Sequence, residues 1–211
     1  MDLKTRAEEM RSFFDRKIDT YDEVHAAFAE TKRLLTDCLP DGTETVLDLG
    51  AGTGLELIPL FERFPDIRVT AVDVSPKMLA VLAERPFADR VKIVCGDFFA
   101  ADFGGPFDAV ISTSALHHFP PREKEELYRR IRGCLRPGGV FLNSDKISPD
   151  RRAEAEALAE YEADPARWPH MDTPLAPSTE TELLENAGFR QVFVAPTDRE
   201  NYRLFTAVRD E

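Results

Sequence analysis

The stretch Val46-Leu47-Asp48-Leu49-Gly50-Ala51-Gly52-Thr53-Gly54 constrains this chain more than any other. An apolar run with the character of a buried strand breaks into three glycines at alternate positions, then continues into Leu55-Glu56-Leu57-Ile58, which reads as a helix start. Strand, glycine turn and helix in that order aim a helix N-terminus and bare backbone N–H groups at an anionic or polar ligand. Glycine suits the turn because its backbone angles are unusual and a Cβ would hold the ligand away. The spacing is G-x-G-x-G. The dinucleotide fingerprint wants a glycine one residue later, where Leu55 stands, and this disfavours a bound pyrophosphate.

A length of 211 residues suits one domain with a helical layer on each face of an open sheet. No apolar run approaches bilayer-spanning length, and Met1-Asp2-Leu3-Lys4 lacks the apolar core of a secretory leader, so a cytoplasmic location without membrane contact is expected. Cys38, Cys95 and Cys134 are scattered, without metal-ligand spacing, as reduced thiols would be. The net charge of −12 argues for a small-molecule partner. A nucleic-acid partner is not expected, because phosphate binding calls for a basic stripe, and acidic residues accompany the clusters Arg129-Arg130-Ile131-Arg132 and Arg151-Arg152.

The first 38 residues carry a helical period through Met10, Phe14, Ile18, Tyr21, Val24, Phe28 and Leu35, and Pro40-Asp41-Gly42 breaks it. Strands at 45–49, 68–73, 91–95, 107–112 and 139–145 then alternate with helices at 55–63, 76–84 and 121–135, with Pro59 a source of a kink in the first. This alternation predicts an α/β fold of right-handed βαβ units around a parallel sheet. Residues 151–163 are strong helix formers, and a proline-punctuated stretch (Pro165, Trp168, Pro169, Pro174, Pro177) follows. Thr179 and Glu182 form a capping box for a helix that Gly188 ends. Segments 191–195 and 202–208 read as an antiparallel closing pair at the sheet edge. The predicted organisation is a single domain over 1–211: a helical segment to 38, a core over 43–146, an interruption at 147–177 and a closing part over 178–211.

Asp73 stands nineteen residues after Gly54, at the tip of the second strand, where a carboxylate can accept both hydroxyls of an unmodified ribose. An ordinary acid at a helix start is its bland competitor. Asp97, at the tip of the third strand, can accept from an adenine amino group or form a turn. Phe98 and Met78 offer apolar faces to a base or belong to the core. Asp48, inside the first strand, orients the loop rather than touching substrate.

Val46–Gly54, Ala71-Val72-Asp73-Val74-Ser75-Pro76-Lys77-Met78-Leu79, Gly96-Asp97-Phe98, Phe107-Asp108-Ala109-Val110 and Leu135-Arg136-Pro137-Gly138-Gly139 together resemble the class I S-adenosylmethionine-dependent methyltransferases over residues 13–208. The resemblance implies a Rossmann-like, doubly wound seven-stranded sheet, mostly parallel with an antiparallel C-terminal strand and helices on both faces. It implies S-adenosyl-L-methionine as cofactor, Asp73 with Val74 on the ribose side, Asp97 on the adenine, and Gly50, Ala51, Gly52 and Gly54 along the methionine portion. It further implies that Thr113 presents its backbone to the methionine amino group, and that Tyr21 in an N-terminal lid closes over the cofactor. The nearest look-alikes are small-molecule methyltransferases of the ubiquinone/menaquinone type; a homodimer is one assembly open to such a chain.

The tandem His117-His118 pair cannot both face one metal from an extended segment, and no carboxylate stands at ligand spacing, so no metal site is expected. In similar methyltransferases this position borders the acceptor pocket, which offers His118 as a proton acceptor, or as a structural residue capping a turn. Segment 147–177, with Tyr161, Trp168, His170 and Met171, is a candidate acceptor lid or a surface connection. The acceptor atom, whether oxygen, nitrogen or carbon, stays open. Two rival readings are a protein that holds the cofactor without catalysis, and a nicotinamide-dependent oxidoreductase. Leu55 and the absence of a Tyr-x-x-x-Lys pair stand against the second.

Overall fold

Seven strands pair in one sheet: β1 (Thr45–Leu49), β2 (Arg68–Asp73), β3 (Val91–Cys95), β4 (Phe107–Thr113), β5 (Leu135–Lys146), β6 (Arg190–Pro196) and β7 (Tyr202–Val208). Their order in the computed structural model is β3-β2-β1-β4-β5-β7-β6. β1 to β5 pair in parallel, and β7 runs antiparallel to both β5 and β6. The structure describes residues 3–168 and 170–210. The polar start at Met1-Asp2, together with Pro169 of the proline-rich stretch, lies outside the described residues.

The helices are α1 (Leu3–His25), α2 (Ala29–Asp37), α3 (Leu57–Arg63), α4 (Pro76–Leu82), α5 (Pro121–Cys134), α6 (Arg151–Ala163) and α7 (Pro177–Asn186). The two-residue period of β1 divides the molecule into two cores. Leu47 and Leu49 join Leu127, Ile131 and Leu184 of α5 and α7 on one face. Val46 joins Leu35, Leu60 and Leu82 of α2, α3 and α4 on the other. Pleated strands alternate their side chains, so a strand covered by helices on both faces is apolar throughout. β4, beside β1, is buried at every residue. The chain adds β2 and β3 on one side of β1 and β4 on the other. The order therefore reverses between β1 and β4, and a crevice opens at their carboxyl ends.

Several local expectations shift. Pro59 is the third residue of α3, where its missing amide has no partner within the helix to lose. β5 starts at Leu135, not at 139, because Leu135 pairs with Phe107 across a register shift and draws the Pro-Gly-Gly turn into the ladder. No capping box forms at Thr179. α7 begins earlier, with Ala176 as N-cap and Pro177 pre-set for the first turn. Glu182 is instead taken by Arg151 at 2.5 Å, while Glu154 accepts the Ala176 amide at 2.7 Å. Val24, grouped by period with the inward residues of α1, is 60% exposed.

Candidate functional site

A cleft of about 730 Å³, its open mouth included, lies at the carboxyl ends of the central strands with α1 as the opposite wall. The first glycine turn forms its floor. Gly50 has φ +82°, and a Cβ there would stand 2.4 Å from the Cβ of Ala115, so only glycine fits. Asp73 closes the turn: its Oδ2 accepts the Gly52 amide at 2.8 Å and its Oδ1 accepts the Ser75 amide at 2.8 Å. Burial pushes the Asp73 carboxyl up, and the amides of Ser75, Gly52 and Val74 offset only part of that rise. Ser75 caps α4, its hydroxyl accepting the Met78 amide at 3.1 Å.

Val74, Met78, Asp97 and Phe98 form the neighbouring wall, and Thr113 and His118 stand at the far end with Tyr21 above. The Asp97 side chain accepts the Phe99 amide at 2.8 Å, while Phe98 belongs to both the cleft and the core of α5 and α7. Asp48, Ala51 and Gly54 do not line the cleft. Ala51 is buried against the core of α3 and α4, and a Cβ on Gly54 would strike Leu82 Cδ1 at 2.4 Å, so that glycine serves the packing of α4. Asp48 is 0% exposed on the Val46 face of β1, next to the carboxyl of Glu56. Burial raises both carboxyls above the ordinary range, and the charge of Glu56 adds to the rise at Asp48.

Two residues fasten α1 here: Asp15 accepts from the Ser75 hydroxyl at 2.6 Å, and Asp22 reaches the glycine turn. Asp22 accepts from Thr53 Oγ1 at 2.6 Å and from Arg85 at 2.5 Å. One residue earlier on α1, Tyr21 stacks on His25 at 3.9 Å, and burial raises its hydroxyl pKa. Arg6, which the sequence reading passed over, also lines the cleft and pairs with Glu123. Its signal was the four-residue step Arg6, Met10, Phe14. Ser114 was passed over too: it holds φ +56° at the end of β4, and its hydroxyl reaches Tyr202 at 3.3 Å. A non-glycine residue in that conformation marks a place where surrounding structure dictates the backbone.

A second cleft adjoins the first, with Phe14, Tyr21, Ser114 and His118 as the common wall. All four histidines of the chain line it. His117 and His118 sit in a tight 3₁₀ turn (Leu116–His118), not on an extended segment, and their rings lie 4.0 Å apart. His118 Nδ1 donates to the Met171 carbonyl at 2.8 Å. Burial and then the neighbouring His117 push the His118 pKa well down. His117 Nδ1 meets Asp145 Oδ1 at 2.6 Å. Burial pushes the Asp145 carboxyl up, but His117, Lys124 and the Lys146 amide together make the net shift downward. Asp145 is a carboxylate partner that sequence spacing did not reveal, because it arrives from β5.

The cleft fits a nucleoside cofactor: carboxylates at two strand tips, apolar faces between them, and a backbone cradle where a Cβ at Gly50 would intrude. The sequence pattern of the family described as "Methyltransferase domain" matches residues 46–139. An uncharacterized methyltransferase of Geobacillus kaustophilus is 31% identical over 158 residues, which cover 74% of this chain and 72% of that protein. A carboxy-S-adenosyl-L-methionine synthase of Nautilia profundicola is 26% identical over 89% of this chain and 87% of its own. Human N-acetylserotonin methyltransferase, solved in complex with S-adenosylmethionine, shares the fold at a TM-score of 0.73 and 20% identity. That overlay takes in 95% of this chain and 57% of the human one, so the chain spans little more than half of that protein's length. A shared family pattern, relatives matched over more than two thirds of their length and a sheet of this order leave one assignment: the chain belongs to the class I S-adenosylmethionine-dependent methyltransferases.

Proposed function

We propose that this methyltransferase holds S-adenosylmethionine in the first cleft and transfers its methyl group to a small molecule held in the second. The observation that carries this reading is the shared wall of Phe14, Tyr21, Ser114 and His118, across which the two clefts meet. Asp73 accepts from the ribose hydroxyls and Asp97 from the adenine amino group, with Val74, Met78 and Phe98 against the base. The backbone of Gly50, Gly52 and Thr113 follows the methionine portion. Ala51 and Gly54 keep the turn seated on α4, and Asp48 with Glu56 sets the loop from beneath. α1 acts as a lid carrying Tyr21, and segment 147–177 closes the acceptor side of what is, on this reading, one domain.

The bound cofactor supplies an electrophilic methyl group on a sulfonium, and the leaving sulfur needs no proton. The protein's task is therefore alignment and exclusion of water. Phe14 and Tyr21 give the junction of the clefts an apolar rim, and Asp22 keeps α1 down on the turn. The net charge of −12 supports a small acceptor over a nucleic acid. No helix among the described residues is long and apolar enough to cross a membrane. Three unpaired thiols, Cys38, Cys95 and Cys134, suit a reducing, cytoplasmic compartment.

Calorimetric titration with S-adenosylhomocysteine and with NADH, followed by methyl transfer from S-adenosylmethionine to a panel of small hydroxyl and amine acceptors, tests the reading. Binding of the sulfur ligand without NADH, and product from one acceptor class, is expected. Binding without any product would favour a non-catalytic carrier.

A further inference from the structure

The histidines of the second cleft are not equivalent. His25 Nδ1 lies 2.9 Å from the Tyr21 carbonyl, and its ring stacks on Tyr21. His118 Nδ1 is spent on the Met171 carbonyl. His170 packs on Phe13 at 4.1 Å, and its Nδ1 is buried without a partner among the described residues. Among the described residues, His117 alone has a carboxylate in hydrogen-bond contact with its ring. Asp145 is 0% exposed at the end of β5, and its Oδ1 also accepts the Lys146 amide at 2.9 Å, so the carboxylate is held still.

A carboxylate acceptor places the hydrogen of neutral His117 on Nδ1 and leaves the lone pair on Nε2. That nitrogen has no hydrogen-bond partner among the described residues, and the ring lines the second cleft. Other charges around it are largely cancelled: Lys146 is paired with Asp172 at 2.6 Å, and His118 resists protonation. Lys17, which sits over Phe13 at 5.6 Å, is the ammonium on the cleft wall.

We propose that His117, positioned by Asp145, is the general base of the methyl transfer, in place of the neighbouring His118, and that the acceptor is a planar, weakly acidic hydroxyl compound: a phenol or an enol. The inference rests on the proposed transfer to a small molecule. Amines carry a free pair while neutral and carboxylic acids are already ionised near pH 7, so among common acceptors a weakly acidic hydroxyl gains most from a base. Phe13, Phe14 and Tyr21 offer ring faces to a planar acceptor, and Lys17 offers a positive charge to the developing oxyanion. The acceptor O–H bond breaks and its proton passes to Nε2 of His117. The oxygen pair so freed forms the bond to the methyl carbon, and the pair of the broken carbon–sulfur bond stays on sulfur. Asp145, ionised throughout, stabilises the imidazolium that results.

The test compares phenol with 4-nitrophenol as acceptors near pH 8, about two units below the range where an ordinary phenol ionises. 4-Nitrophenol is ionised there without help. The wild type is expected to methylate both. His117→Gln is expected to lose about 10²-fold or more in kcat on phenol and less than about 10-fold on 4-nitrophenol. Asp145→Asn, a positioning variant, is expected to show the same selective loss, and the ¹⁵N spectrum of His117 should lose its Nδ1–H tautomer signature. S-adenosylhomocysteine affinity should stay unchanged in both variants. Equal losses on the two acceptors, or an unaltered tautomer in Asp145→Asn, would overturn the base assignment. Methylation of aniline but of neither phenol would overturn the acceptor class while the transfer reading stands. A wild type that binds S-adenosylhomocysteine yet methylates nothing overturns the base, and one that does not bind it overturns the broader reading as well.

Discussion

Oδ2 of Asp73, at the tip of β2, accepts the amide of Gly52 in the turn after β1 at 2.8 Å. The same carboxylate holds the Ser75 amide and so the start of α4. One side chain thus ties the floor of the cleft to its wall, while its remaining lone pairs face the space proposed for the ribose.

Asp73→Ala is therefore expected to weaken S-adenosylhomocysteine binding by about 10-fold or more, since bonds to a charged group contribute about 1.5–3 kcal/mol each. Calorimetry reads the affinity and a melting curve reads the accompanying loss of stability. Unchanged affinity would remove Asp73 from the cofactor site.

The Asp48–Glu56 pair predicts an unusual pH response. Burial raises both carboxyls, with the charge of Glu56 adding to the rise at Asp48 and Lys32 opposing it at Glu56. The folded pair therefore holds protons more tightly than the unfolded chain. Its contribution is fully present below the ordinary carboxylate range, about pH 4, and declines as pH rises through the raised folded values. Asp48→Asn removes the part of that decline that Asp48 contributes. Its stability relative to wild type should grow by about 1 kcal/mol or more, roughly 2–4 °C in Tm, between about pH 5 and pH 9. Parallel melting profiles for the two proteins would refute the raised Asp48 carboxyl.

Glycine substitutions should split by position. Gly50→Ala forces a Cβ to 2.4 Å from Ala115 at φ +82°, and an expected cost of about 2 kcal/mol or more accompanies loss of ligand binding. Gly133 lies in α5 with nothing within 4 Å of an added Cβ, so Gly133→Ala should stabilise by about 0.5 kcal/mol. Urea titration of both variants measures the contrast.

Asp22 offers a test of α1 as a lid. Its carboxylate is partly exposed, which tempers the worth of its two bonds. Asp22→Ala is expected to speed S-adenosylhomocysteine release roughly 3–10-fold, with little change in Tm. Stopped-flow dissociation at an unchanged rate would leave α1 as a static wall.

Much of the fold was legible because its signals are local. The apolar runs of β1, β2 and β4, the breaker at Pro40-Asp41-Gly42 and the stop at Gly188 each express backbone preference within a few residues. The start of α7 misled because Thr179 and Glu182 match a capping pattern, but Arg151, which is 31 residues away, takes Glu182 first. Strand-tip position brought Asp73, Asp97 and Thr113 to one cleft, whereas Asp48, Ala51 and Gly54 of the same motif support it from behind. Arg6 carried only a faint helical-period signal and Ser114 carried none.

The sequence by itself determined the order of strands and helices and the glycine turn where the nucleoside cleft opens. Hydrophobic period and glycine placement act along the chain and need no distant partner. Only the tertiary structure decided which histidine carries a carboxylate. His117 and Asp145 are 28 residues apart and meet because β4 and β5 are parallel neighbours whose registers bring both carboxyl ends to one edge. Sheet order and register are set by the packing of both cores at once, so no spacing along the chain encodes that 2.6 Å contact.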